Sequence, residues 1–206
     1  MTRRILLSLP FAGKVAQLFG KVKAETAEIP AGAADTISEL LWLGPAECGK
    51  TDMVFRTTRD RCNINGPDYR ALVVSRNWVT SRFFMEETVG KLPNGSIALM
   101  STKEVIAASG ARILFTETRR IDAMLGLQFS RVIFENNALP ETERDYLRLI
   151  GSARPYSVDV MARKIEDLPA WAQSRKWKEL RLNPAVADAA RRFARMSASA
   201  EGGRGK

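Results

Sequence analysis

Histidine is absent from the 206 residues of this chain. That removes Ser-His-Asp and Cys-His catalysis, and it leaves no imidazole for a zinc or copper site. Cysteine is nearly absent too. Cys48 and Cys62 alone make no disulfide framework, which fits a reducing compartment. No stretch approaches the roughly 18 consecutive apolar residues of a membrane-spanning helix, so no membrane partner is expected. Acids are scarce at both ends. Residues 1–24 carry Arg3, Arg4, Lys14, Lys21 and Lys23 without one acid, a charge of +5, and residues 184–206 carry +3. Of the net +9, only +1 is left for the middle. Basic ends of this kind either neutralise phosphates on nucleic acid or form solvated tails. Residues 5–12, after Thr2-Arg3-Arg4, have the outline of a secretion signal, but Lys14 interrupts the apolar run early. The expectation is a docking amphipathic N-terminal helix and a cytoplasmic protein, in the host cytoplasm if the chain is viral.

What is present is a phosphate-binding motif. Gly44-Pro45-Ala46-Glu47-Cys48-Gly49-Lys50-Thr51 matches G-x-x-x-x-G-K-[ST] at every constrained position. The alternative, a chance match in a glycine-containing turn, has to explain the flanks as well. Residues 37–43 can form a strand, and residues 51–61 can form the helix that must follow. Gly44 and Gly49 let the backbone curl around a phosphate with N–H groups pointing inward at a helix N-terminus. Lys50 would reach the β- and γ-phosphates, and the Thr51 hydroxyl would ligate Mg²⁺. All eight residues are assigned to nucleotide binding, with ATP and Mg²⁺ as the expected ligands.

The rest of the chain alternates strand and helix signals. Residues 25–36 read as a linker. Strands are expected at 72–75, 96–101, 112–116, 130–135 and 156–161, and helices at 79–92, 141–152 and 168–180. The strands at 96–101 and 112–116 lie close enough in sequence to form an inserted antiparallel pair. This alternation predicts an α/β fold of the P-loop NTPase type, a mainly parallel sheet with helices on both faces. Residues 1–36 form a basic segment and linker, 37–183 the ATPase domain, and 184–206 a basic tail. Trp171 and Trp177 are taken as packing residues of a helix against the sheet edge, in preference to an aromatic nucleic-acid contact.

A P-loop enzyme also needs an apolar strand ending in an acid that serves the metal and the attacking water. The best candidate is Arg131-Val132-Ile133-Phe134-Glu135, followed by Asn136-Asn137. Glu135 would emerge at the carboxyl end of a buried strand, where ligands sit in open α/β sheets. It is assigned to catalysis with Lys50 and Asn136, and to the metal with Thr51. Arg76, Arg82, Arg119 and Arg120 are candidates for an arginine that stabilises developing charge.

Residues 125–136, Leu-Gly-Leu-Gln-Phe-Ser-Arg-Val-Ile-Phe-Glu-Asn, resemble a segment of the large terminase subunits, the DNA-packaging motors of tailed phages. The phosphate loop, residues 70–76, the Pro93-Asn94-Gly95 turn and a helix over 141–154 fall in the same order as in that family. The resemblance spans about residues 37–180. It implies an ATP-hydrolysing motor that translocates double-stranded DNA as a homo-oligomeric ring, docked on a portal or small-subunit partner. The resemblance also implies two departures. Glu135 stands where the family has Asp, and Asn136 stands where it has its catalytic Glu. An amide cannot take a proton from water, so Asn136 implies impaired hydrolysis. A nucleotide-binding scaffold that has lost turnover, and another P-loop ATPase or kinase, are therefore the alternatives. Glu47, Glu141 and Glu143 are the other acids that could supply a base. No carboxylate cluster follows residue 184, so DNA cleavage is not expected.

Overall fold

The computed structural model of the chain describes residues 37–46 and 48–182. The basic N-terminal segment, the C-terminal tail and Glu47 lie outside the described residues.

Eight strands form one sheet in the order β3-β4-β5-β2-β6-β7-β1-β8. The strands are β1 (Ser38–Leu43), β2 (Arg70–Ser75), β3 (Ile97–Leu99), β4 (Glu104–Ile106), β5 (Arg112–Glu117), β6 (Arg131–Phe134), β7 (Ser157–Ala162) and β8 (Lys178–Arg181). From β5 to β8 every neighbouring pair is parallel; β4 runs antiparallel to both β3 and β5. Parallel strands covered on both faces need apolar residues at nearly every position. All residues of β6 and β7 are buried accordingly.

Helices cover both faces. Alternate residues of the central strands divide the core in two. Trp42, Val73, Ile133 and Met161 pack with Val54, Phe55, Phe84 and Met85 from α1 (Lys50–Asn65) and α2 (Trp78–Lys91). Leu43, Val74, Phe134 and Val160 pack on the other face with Tyr146, Leu149 and Ile150 of α3 (Glu143–Ala153), and with Ala172 of the short α4 (Ala170–Gln173). The α2 start is fixed by Asn77, whose side chain accepts from the Thr80 N–H at 3.0 Å, and the α3 start by Thr142, which accepts from Asp145 at 3.2 Å. Among the described residues, no helix is long and apolar enough to cross a membrane.

Two expectations are corrected. The strands near 96–101 and 112–116 do not pair with each other, because β4 lies between them as the middle of a three-strand meander. The stretch 168–180 is not one helix. It is helical only over α4, and Lys178–Arg181 then adds to β1 as a parallel edge strand, with Leu40 opposite Lys178 and Leu43 opposite Arg181. The chain turns back because Arg175 is anchored. It makes paired bonds of 2.9 and 2.8 Å to the Glu39 carboxylate of β1, where Tyr146 also donates at 2.6 Å. The tryptophans belong to the same assembly. Trp171 and Trp177 pack against Tyr146, with ring centroids 5.0 and 6.2 Å away, and donate to the carbonyls of Pro140 and Ala172.

Candidate functional site

The loop between β1 and α1 sits at the carboxyl edge of the parallel strands, where β1 crosses past β7 and β6 before the chain returns as β2. Crevices of this kind, at a reversal of strand order, are where open α/β sheets take ligands. Gly44 has to be glycine here. A Cβ on it would lie 2.7 Å from Cys48 Sγ and 2.9 Å from the Leu182 carbonyl oxygen, well inside contact distance. Gly49, at φ 86°, holds the left-handed turn that admits the chain into α1. The α1 amides that lack helical partners then face the loop with the positive end of the helix dipole.

Lys50 lies at the centre of this loop and is only 5% exposed. Its ammonium donates to the carbonyls of Gly44 and Pro45, the latter at 2.8 Å, and approaches Cys48 Sγ at 3.5 Å. Among the described residues it ion-pairs with no carboxylate. A buried cation satisfied by dipoles alone keeps its net charge unmatched, so the loop strongly favours an anion.

Glu135 follows β6 directly. Its backbone N–H donates to Val74 at 2.9 Å, extending the ladder with β2, and its carboxyl accepts from the backbone N–H of Arg76. Arg131 and Ile133 of β6 point to the α1 face, so continued alternation sends Glu135 to the face that carries Lys50. With β7 between β6 and β1, Glu135 stands two strand spacings, about 10 Å, from the β1 strand. Burial pushes its carboxyl up to about 7 from an ordinary 4.5, against the lowering effect of the Arg76 amide. Asn136 follows in a turn closed by Ala138 N–H to Glu135 O at 2.9 Å. Its Oδ1 is buried and, among the described residues, accepts from nothing; the Ser75 hydroxyl, level with Glu135 on β2, is likewise unpartnered. Neither signal was available to sequence reasoning, which saw Asn136 only as an amide in place of an acid and did not single out Ser75.

The remaining candidates are mostly engaged elsewhere. Arg119 and Arg120 lie 2.7 and 3.9 Å from the buried Glu117 carboxylate at the end of β5, and Arg82 lies 2.9 Å from Glu86 on α2. Glu143 bridges to Arg175 at 2.9 Å, and Glu141 is exposed ahead of α3. The structure thus brings Gly44, Pro45, Ala46, Cys48, Gly49, Lys50 and Thr51 together at one edge, with Glu135 and Asn136 two strands away on the same edge.

No protein-family model matches this chain, and no curated protein matches its sequence. Solved structures do. The large terminase of a thermophilic bacteriophage is similar over 77% of this chain and 44% of its own, at 9% identity and a TM-score of 0.55. The same terminase in complex with ADP gives 78%, 44%, 11% and 0.52. The ATPase domain of the large terminase of Thermus phage P74-26 gives a TM-score of 0.48 at 8% identity, covering 63% of this chain and 62% of that one. At such identities the likeness is one of fold: a mainly parallel α/β sheet of the P-loop NTPase type, as in the large terminase of the thermophilic phage. The chain spans less than half the length of that thermophilic-phage terminase, with or without ADP.

Proposed function

We propose that residues 37–183 form an ATP-hydrolysing motor domain of the DNA-packaging type. The single observation that carries this reading is the buried, charge-unmatched Lys50 at the mouth of α1. A polyphosphate supplies the missing negative charge, and the α1 amides supply donors. Lys50 would take the β- and γ-phosphates and stabilise charge as the terminal phosphoryl departs. The gap of about 10 Å between β1 and Glu135 is room for the terminal phosphate and an attacking water. A carboxyl poised near 7 can accept a proton from that water at physiological pH.

Mg²⁺ fits the donor set. Thr51 and Glu135 offer only hard oxygen atoms, as that ion prefers. Among the described residues no group of three His, Cys, Asp or Glu forms a cage, so phosphate oxygens would complete the shell. The ion would supply charge neutralisation at the phosphates. DNA would be held through its backbone, without base specificity and with strong salt dependence. Assembly into a head-to-tail ring on a portal or small-subunit partner, with an arginine offered to the next protomer, belongs to the same reading.

A second reading is favoured by Asn136. If the amide has disabled turnover, the protein is a nucleotide-binding scaffold. Steady-state ATP hydrolysis with and without double-stranded DNA separates the two. DNA-stimulated turnover supports the motor, binding without turnover supports the scaffold, and neither binding nor turnover ends both. Lys50→Ala should weaken ATP affinity at least about tenfold, because the polyphosphate loses the buried cation of the loop. Equal affinity in a calorimetric titration would refute the site. Deleting residues 187–206 should lower DNA affinity and flatten the plot of log affinity against log salt, since the deleted arginines no longer release counterions. An unchanged slope would mark the tail as a passive extension.

A further inference from the structure

The turn that carries Glu135 and Asn136 starts where the β2–β6 ladder stops. Val74 is level with Phe134, and the Glu135 N–H makes one more bond to the Val74 carbonyl at 2.9 Å. Past that bond the chain leaves the sheet. The Ala138 N–H closes the turn on the Glu135 carbonyl, and Asn137 sits inside it at φ 59°, in the left-handed region. A non-glycine residue keeps that conformation where its surroundings hold it. The far end is held by Thr118, whose Oγ1 lies 2.9 Å from the Ala138 carbonyl oxygen and 3.3 Å from that of Ser75, the last residue of β2. Its single proton serves one of these carbonyls at a time. The Ser75 carbonyl and the Arg76 N–H belong to one planar peptide unit, and that N–H donates to the Glu135 carboxyl. Orienting the carbonyl therefore orients the donor that grips Glu135. Thr118 is itself anchored. It follows β5, where Glu117 is level with Ser75, buried, and bridged to Lys103 at 3.3 Å and Arg119 at 2.7 Å.

We infer that Thr118 is a positioning residue for ATP hydrolysis: its hydroxyl holds the 135–138 turn and the Ser75–Arg76 peptide together, and so keeps the Glu135 carboxyl aimed at the attacking water. This inference rests on the reading of Glu135 as the proton acceptor. Thr118 acts through Glu135 and not by contact with the nucleotide. A displacement of about 1 Å at a reacting group can cost about a hundredfold in rate. The phosphate loop lies on β1, with β6 and β7 between it and β2, so ATP binding does not depend on this hydroxyl.

The test uses Thr118→Val, which keeps the shape and removes the hydroxyl, and Thr118→Ser, which restores it. Steady-state ATP hydrolysis is measured on the full chain with double-stranded DNA and Mg²⁺. Calorimetry with a non-hydrolysable ATP analogue counts the binding sites, so that kcat refers to folded, binding-competent protein. Thr118→Val should lower kcat per site by about tenfold or more and leave analogue affinity within about twofold of the parent. Thr118→Ser should return both to within about twofold. Parental turnover in Thr118→Val overturns the inference while the Glu135 reading stands. A loss of analogue affinity in Thr118→Val also overturns it, by placing the residue in binding or in the fold at large. A serine variant as slow as the valine variant overturns it too, by assigning the effect to the methyl group. A parent that binds the analogue and does not turn over ATP removes the hydrolysis reading, and this inference with it.

Discussion

Glu135→Gln is expected to be more stable than the parent by about 3 kcal/mol at pH 8, with a chelator and without nucleotide, and in a separate assay with ATP and Mg²⁺ to lose at least about a hundredfold in turnover. The stability half follows from desolvation. The fold holds this carboxyl near 7 instead of 4.5, so the folded state favours the neutral form. That contribution is fully present below about 4.5 and is lost as the pH rises through about 7. Glutamine keeps the shape and never ionises, so it escapes the penalty. Urea titrations at two pH values check the sign: the two proteins should be nearly equal at pH 4 and diverge at pH 8. The kinetic half follows from the loss of the proton acceptor, which an amide cannot replace. A variant no more stable at pH 8 than at pH 4, relative to the parent, would show that Glu135 is solvated. A variant that is more stable and fully active would move the base to another residue.

Much of the conformation of the β1–α1 loop was legible because it is local. A loop of eight residues carries its own glycines, lysine and threonine, and an apolar run on each side fixes strand and helix. β6 was legible for a similar reason, since four buried residues in a row suit only a strand covered on both faces. The elements that were misread are those decided by distant partners. Glu104–Ile106 is three residues long and begins with a charge, so it carries no period of its own; it is a strand because β3 and β5 flank it. Lys178–Arg181 is mostly polar and sits in a stretch with helical propensity. Its pairing with β1 and the Arg175–Glu39 anchor, 136 residues apart in sequence, override that propensity. The same holds at the site. Residue type alone could nominate Glu135, but its raised pKa depends on burial by elements that lie far from it in sequence.

Asp159→Ala is expected to destabilise the fold by about 3–5 kcal/mol, the largest single loss outside the apolar core. No feature of the sequence marks this residue, because a lone acid in a strand usually faces water. Asp159 instead lies in the middle of β7 with no exposure, and Arg131 on the adjacent β6 donates to it from Nε at 2.6 Å. Its second oxygen accepts from the Trp42 indole of β1 at 2.7 Å, and Ser157 adds a bond at 3.2 Å. Arg131 also donates to Thr58 of α1 at 3.1 Å, so one network joins three strands to the helix that carries Lys50. Burial alone would pull the Arg131 guanidinium down, but the Asp159 carboxylate outweighs it and keeps it charged. Removing the acid therefore leaves a buried cation with no counter-charge, which costs more than the pair itself contributes. Replacing both members, as Arg131→Met with Asp159→Leu, should recover part of the loss, because no isolated charge remains. The recovery should be incomplete, since the Trp42 N–H then has no acceptor in the core. Urea unfolding of the two single variants and the double variant measures the coupling directly. Additive losses would mean that the two groups act independently, and that α1 is held to the sheet by apolar packing alone.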